Sequence, residues 1–372
     1  MRNVLGIVNL HDCPHLGPIT MKRPTGATTF LGRYGLMDFT LSNFSNSGID
    51  KVAVLVESNY RSVRNHLRDG QIWVNNTKLG FQRILTNEAL LSVSKFNTDI
   101  ANILANKNVF YENEPQYVVI APVFLLMSYD YNELLEKHVA SGADVTVLCK
   151  HIDNTDKEFV NCDIVTLNEN GFVEEFSTNT GRRKEVDISL ESFIVNADVL
   201  LDICNKQKDI SLLYSLRQMI SYLTKNGGLK VATEFFDGYV VPILSFEHYV
   251  RHSFELLDHK KRELLFKEDW PIYTTTHNTP PALYGDHAVV TNSFIANGCV
   301  INGKVKNCIL SRDVVVEEGA VIENCIIFTH TEIGPNIKLK YVVTDKYSEV
   351  QEVKKILREK DDILYIGKGE RV

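Results

Sequence analysis

Aliphatic residues recur every six positions in the last quarter of this chain, and that period constrains the fold more than any other feature. Ile309, Val315, Val321, Ile327, Ile333 and Leu339 are each six apart, and Val289, Ile295 and Ile301 form an earlier series offset by a two-residue insertion. Glycine or asparagine returns at the corners, in Asn297-Gly298, Asn302-Gly303, Glu318-Gly319 and Gly334. Such a repeat marks a parallel β-helix, in which each short strand forms one face of a triangular coil and stacked aliphatics fill the axis. Ordinary alternating strands share the period, because six is a multiple of two. The frequency of turn residues favours the coil. The series accounts for about three coils, too few to stand alone, so the β-helix is expected to dock on its own first domain or on another subunit.

The first two-thirds of the chain follow another rhythm. Val4–Val8, Val52–Val56, Tyr117–Ala121 and Val145–Cys149 are short and rich in β-branched residues, as buried parallel strands are. Helical patterns lie between them, at Phe39–Asn46 (stopped by Ser47-Gly48), Arg61–Leu67 and Tyr131–Val139. The alternation predicts an α/β, Rossmann-like domain with a mostly parallel sheet and helices on both faces. Ligands in such folds bind beyond the carboxyl ends of the strands. Phe246–Phe266 reads as one long helix, followed by an extended linker through Asp269–Thr274 and Pro280-Pro281-Ala282. The expected units are residues 1–245, a linker over 246–285, and the β-helix with its tail over 286–372. Lys354–Lys360, with mixed charges, suggests an amphipathic or solvated helix.

At 372 residues the chain has room for two domains, and its net charge of -7 argues against nucleic-acid binding. The first residues run straight into a strand, without the pattern of a signal peptide, and no apolar stretch approaches a membrane span. Seven cysteines are scattered with no C-x-x-C pair. They read as free thiols of a cytoplasmic protein rather than a zinc site or a disulfide framework.

Tyr34-Gly35-Leu36-Met37-Asp38-Phe39-Thr40-Leu41-Ser42-Asn43, continuing through Asn46-Ser47-Gly48-Ile49, resembles a motif of the glucose-1-phosphate adenylyltransferase family. Asp269–Thr274 with Pro280-Pro281-Ala282 resembles that family's interdomain segment. Met127-Ser128-Tyr129 and His138-x-x-x-Gly142-Ala143-Asp144 resemble the stretch after its catalytic aspartate. The resemblance spans most of the chain. It implies a nucleotidyltransferase domain (GT-A-like) followed by a left-handed parallel β-helix of hexapeptide repeats. The family's reaction joins ATP and glucose-1-phosphate to give ADP-glucose and pyrophosphate, which requires magnesium, cationic clamps and a glycine-rich turn against the phosphates.

The chain departs from the family where that chemistry is carried. The resemblance places the glycine-rich turn at Leu10-His11-Asp12-Cys13-Pro14-His15-Leu16, where no glycine remains and His15 replaces the phosphate-facing arginine. Thr25 begins a segment that lacks a phosphate-facing lysine, and Asn179 stands at the sugar-site lysine. Pro122 and Pro242 stand at the two metal-binding aspartates, and proline has no carboxylate to offer. No catalytic residue and no metal site is therefore expected in this chain. Leu10, His11, Cys13, His15, Thr25, Pro122, Asn179 and Pro242 mark the degenerate positions.

Lys22-Arg23, after Pro18-Ile19-Thr20, is retained. The family's lysine here looks like the one that contacts a sugar-phosphate activator, so Lys22, with Arg23, is a candidate effector site; two exposed basic loop residues are the plainer reading. The nearest resemblance is to the GlgD-type regulatory subunit. This implies a heterotetramer with a catalytic paralogue that uses magnesium and ATP, while this chain needs no cofactor itself. The rival readings are a competent transferase with an unusual site and a stand-alone sugar-phosphate or nucleotide sensor. His330 would suit a hexapeptide acyltransferase but reads better as a solvent-facing corner residue. His11 and His15, beside Asp12 and Cys13, lie on a proline-broken loop and make a poor metal site.

Overall fold

A computed structural model of the chain describes residues 2–90 and 94–372. The first domain is built on a sheet of β1 (Val4–Asn9), β2 (Lys51–Leu55), β3 (Phe81–Leu85), β4 (Tyr117–Ala121), β5 (Val145–Ile152), β6 (Asp163–Leu167), β7 (Val173–Thr178), β8 (Val186–Asn196) and β9 (Val231–Phe235). The order is β7-β6-β8-β4-β1-β2-β3, with β5 paired to β8 and to β9. The half β4-β1-β2-β3 is parallel. The long β8 runs antiparallel to β4, β5 and β6 and turns the other half into a mixed sheet.

Alternate residues of the parallel strands serve two cores, because successive side chains of a strand point to opposite faces. Val52, Val54, Val119 and Ala121 pack with Met37, Leu41 and Phe44 of helix Met37–Asn46 and with Leu134 and Leu135 of helix Tyr131–Ser141. Ala53, Leu55, Val118 and Ile120 pack with Ile100, Leu200, Ile203, Met219 and Ile220 on the other face. Strands buried on both sides must be apolar throughout, which is why these four were conspicuous in the sequence.

The second domain consists of three five-stranded parallel sheets, one for each face of the coil. It makes five coils rather than about three, since Leu283–Tyr284 opens the first and Leu364–Ile366 closes the last. The coil length explains an error of phase in the sequence reading. Val316, Ile333 and Val350 are stacked partners seventeen residues apart, so one step in these coils is five residues instead of six. The interior series runs Leu310, Val316, Ile322 and then Ile327, Ile333, Leu339. Ile309, Val315 and Val321, expected inside, point outward. Ile309, Ile326 and Val343, again seventeen apart, form an outward stripe buried against Leu16, Ile19, Phe30 and Leu36 of the first domain. Docking on the first domain is thus built into the repeat. Gly32, at φ +79, allows the closest approach, because a Cβ there would lie 2.8 Å from the Leu310 carbonyl oxygen.

Two expected helices differ. Phe246–Phe266 is two helices, Phe246–Glu255 and His259–Leu265, because the Asp258 carboxylate accepts from the backbone N–H of Lys260 and Lys261 and starts a new helix. Lys354–Lys360 is not helical. Lys355–Leu357 is a strand of the β-helix, with Ile356 turned into the core.

The family-like motifs touch one another. Asn43 Nδ2 donates to the Met127 carbonyl (3.0 Å), and Asn43 Oδ1 accepts from Trp270 Nε1 (2.8 Å). Ser42 Oγ accepts from the Tyr273 N–H (2.8 Å). Helix Met37–Asn46 thereby fastens the linker and the end of the Ala121–Tyr129 segment in one step.

Candidate functional site

The carboxyl ends of β1 and β4 open onto a cleft bordered by Asn9, His11, Asp12, Asp99, Pro122, Phe124, Glu191 and Arg217. Its free volume is about 20 Å³. That admits a water molecule, whereas sites for nucleotides and other small ligands span roughly 300–1,000 Å³. An adjoining hollow of about 280 Å³ extends past Pro14, His15, Val160, Asn161, Cys162 and Leu244.

The loop after β1 does the filling. Leu10 is buried and leans over Gly26, where a Cβ would meet Leu10 Cδ2 at 2.6 Å. The His11 ring is buried too. Its Nδ1 lies 3.1 Å from the Asn97 carbonyl oxygen and its Nε2 3.1 Å from Asn102 Nδ2. A carbonyl requires a donor and an amide NH2 an acceptor, so the ring is neutral with its proton on Nδ1. Burial also pushes the His11 pKa down. The imidazole is a fixed internal strut, with no nitrogen left for phosphate or metal. The neighbouring Cys13 thiol is pushed up by burial and by nearby Glu191 and Asp12. His15 is exposed on the rim. Thr25 Oγ1 donates to the Pro14 carbonyl (2.9 Å) and braces the loop.

The two prolines come to one place. Val241–Pro242 pairs antiparallel with Leu125–Leu126, and the Ile243 N–H donates to the Phe124 carbonyl (2.7 Å). Both prolines are buried, and the Pro122 carbonyl is taken by Thr40 Oγ1 (2.6 Å). Neither position offers the oxygen donors that magnesium needs. The carboxylates nearby do not replace them. Among the described residues, the one group that brings three ligand atoms within 4.8 Å of one another lies elsewhere and contains none of Asp12, Asp99 or Glu191. The cleft does not fit magnesium. Asn179 is likewise structural, since its Nδ2 donates to the Phe159 carbonyl (2.9 Å) and its Oδ1 accepts from the Gly181 N–H (2.9 Å).

Charge in the cleft is unsuited to a triphosphate. Glu191, pushed up by burial to about 7, and Asp99, pushed up by burial to about 6, face Asp12, with Arg217 as the cation between Glu191 (3.3 Å) and Asp163 (3.2 Å). This group is not legible in the sequence, since Asp99, Glu191 and Arg217 come from three distant segments. A stability signature follows. The ordinary carboxyl value for Glu191 is 4.5, so between there and about 7 the folded chain holds a proton that the unfolded chain has lost. Stability should therefore fall as pH rises through that window, by on the order of 3 kcal/mol. Denaturant unfolding at about pH 5 and about pH 7.5 checks this, and Glu191→Gln should flatten the difference.

Cations gather instead at the seam between the domains. Arg68 donates to the Thr276 carbonyl (3.1 Å) and lies 3.3 Å from His277 Nδ1. Arg312 donates to the Thr275 carbonyl (3.3 Å), and its buried Nε has no partner. Burial, then Arg312 and Arg68, push His277 down to about 4, and burial with Arg33 lowers Arg312. Lys346, pushed down to about 8 by burial and then by Arg23, is another member. Lys22 is exposed on the adjacent loop, where its carbonyl accepts from Ser62 Oγ (3.5 Å). Arg23 corrects the sequence reading. Its side chain is buried, with one guanidinium nitrogen 2.5 and 2.7 Å from the two oxygens of Asp345, so it is an interdomain tie rather than a free anion ligand. His330 is the exposed corner residue expected, stacked on Tyr347 with ring centroids 5.0 Å apart.

Two family models match the chain. The nucleotidyl transferase model covers residues 14–180, and the GlmU-like C-terminal hexapeptide model covers residues 281–362. Similar curated proteins are the glucose-1-phosphate adenylyltransferase of Fervidobacterium nodosum, 28% identical over 91% of this chain and 81% of the relative, and those of Bacillus cereus and Bacillus anthracis, each 27% identical over 95% of both chains. No helix among the described residues is long and apolar enough to cross a membrane. With the nucleotidyltransferase sheet, the docked hexapeptide β-helix and relatives aligned along nearly its whole length, the chain belongs to the glucose-1-phosphate adenylyltransferase family.

Proposed function

We propose that this chain is a regulatory, catalytically impaired subunit of a glucose-1-phosphate adenylyltransferase, acting in the cytoplasm within a heterotetramer. Its partner is a catalytic paralogue that carries the magnesium and ATP chemistry of bacterial glycogen synthesis. One observation carries the reading. The cleft that should hold ATP and sugar phosphate is filled by His11 and lined with acid, while the cations Arg33, Arg68 and Arg312 collect between the domains. A chain of this form can bias a partner's conformation without performing chemistry.

The effector is then an anion, of the sugar-phosphate class, at the seam. Arg33, Arg68 and Arg312 repel one another without it, His277 is kept neutral among them, and Lys22 stands at the edge. The test is ADP-glucose formation by the paralogue alone, by this chain alone and by the two co-expressed. The co-expressed pair should outpace the paralogue. Arg312→Gln should remove most of the sugar-phosphate response of the pair, and Lys22→Ala a smaller part. A pair no faster than the paralogue would support a stand-alone sensor instead. Magnesium-dependent turnover by this chain alone would point to a working site.

A further inference from the structure

A groove of about 750 Å³ runs between helix Phe246–Glu255 and the last coils of the β-helix. His248 lines it, and with Glu158 and His252 behind that wall it brings three potential ligand atoms within 4.8 Å of one another. The two histidines are four residues apart and share one helix face. Glu158 comes from the turn between β5 and β6. Two polar atoms here are buried and have no hydrogen-bond partner, His248 Nδ1 and Glu158 Oε2. His252 Nδ1 lies 3.1 Å from Glu255 Oε2, so that carboxylate holds the ring and directs Nε2 toward Glu158 Oε2, 3.6 Å away. A carboxylate behind a histidine is the usual support of a metal-binding imidazole.

We propose that Glu158, His248 and His252 bind one divalent transition-metal ion of the zinc class, with a remaining coordination position open to the groove. Two imidazoles and one carboxylate are a donor set that zinc takes readily and that magnesium and calcium, which prefer oxygen, do not. The ion supplies a partner to both orphaned atoms. Arg251 holds the place without it, donating to Glu158 Oε1 (2.8 Å) and lying 3.2 Å from His252 Nε2. Its side chain is one-third exposed and can turn into solvent when the ion binds. The ion would then clamp the segment that carries Val160, Asn161 and Cys162, the rim of the acidic hollow, onto the helix that follows Pro242. The site is independent of the regulatory reading.

The experiment uses the full-length chain, stripped with a chelator. Zinc chloride is titrated by calorimetry, and cobalt(II) by visible absorption. One ion per chain should bind, with a cobalt spectrum of nitrogen and oxygen ligands and no thiolate charge-transfer band, and excess magnesium should not compete. His248→Gln and Glu158→Gln should each lose the binding, Glu255→Gln should weaken it roughly 10- to 100-fold, and Arg251→Gln should tighten it. Melting followed by circular dichroism establishes that each variant is folded. No binding by the unaltered chain, a thiolate band, or binding unchanged in His248→Gln and Glu158→Gln overturns the proposal. The first two outcomes are read on the unaltered chain and stand even if a variant fails to fold.

Discussion

Purified alone, this chain should form ADP-glucose at least about a thousandfold more slowly than a relative that keeps both metal-binding carboxylates. Metal-ion stabilisation of the transferring phosphoryl group is worth several kcal/mol, and each ~1.4 kcal/mol is a factor of ten. Pro122 and Pro242 supply no ligand, and the cleft beside Pro122 has about 20 Å³ of free volume. The second fact makes the prediction sharper than a missing ligand would. Restoring both carboxylates, as Pro122→Asp with Pro242→Asp, should leave the chain silent, because His11 still fills the cleft and Asp12, Asp99 and Glu191 still line it in place of cations. The check is a radiolabel assay with magnesium, comparing the chain, the double variant and a family member of known activity. Turnover by the unaltered chain at a rate near the relative's would mean that the prolines do not mark the metal positions.

The largest expected loss of stability comes from Arg23→Ala. It should cost about 3–5 kcal/mol, because it strands a carboxylate inside the protein. Arg23 and Asp345 are 5% and 4% exposed, and they join the first domain to the β-helix. Asp345 also accepts from Tyr365 Oη (2.7 Å) and from the Lys346 N–H (2.7 Å), so it is held in place and cannot swing out to water. Thermal unfolding should move down by on the order of 10 °C. Removing both charges, as Arg23→Met with Asp345→Leu, should recover most of the loss, since the penalty lies in the unpaired charge and not in the missing attraction. A single variant that melts within a degree or two of the unaltered chain would sink the claim that this pair ties the domains.

The parts of the fold that were legible in the sequence are those in which one residue reports its own environment. The strands β1, β2, β4 and β5 are buried on both faces along most of their length, so each carries a nearly continuous apolar run. β3 is an edge strand with Gln82 and Arg83 in it and gave no such signal. The six-residue period disclosed the β-helix, yet the phase failed at Val315 and Val321. A stripe facing the first domain is as aliphatic as one facing the axis, and a five-residue step cannot be told from a six-residue step without the stacking partners. Helix Phe246–Glu255 ends unseen because Asp258 is one more charged residue in a charged segment.

The site divided in the same way. The departures from the family motifs could be read, since Pro122, Pro242 and the loop without glycine are properties of single positions. How those positions are used could not. His11 is a strut only because Asn97 and Asn102 come to meet it from some 90 residues away, and the acid cluster depends on Glu191 and Arg217 arriving from separate strands and helices. Arg23 looked like a partner of Lys22 until Asp345, 322 residues later, was seen beside it. The group of Glu158, His248 and His252 went unread, because Glu158 reaches the two histidines of one helix from a distant turn.

The plug formed by His11 has a consequence for how such a chain behaves in company. A ligand shifts a conformational equilibrium only through its different affinities for the two states, and a ligand without a site shifts nothing. In this chain the cleft is filled by covalently attached residues, at a concentration that never varies. On the regulatory reading proposed above, nucleotide would not move it. Its first domain would be a constant in the thermodynamic cycle, the same whether ATP is scarce or abundant, and every nucleotide-dependent change in the assembly would originate in the catalytic subunit and reach this one only as strain across their contact.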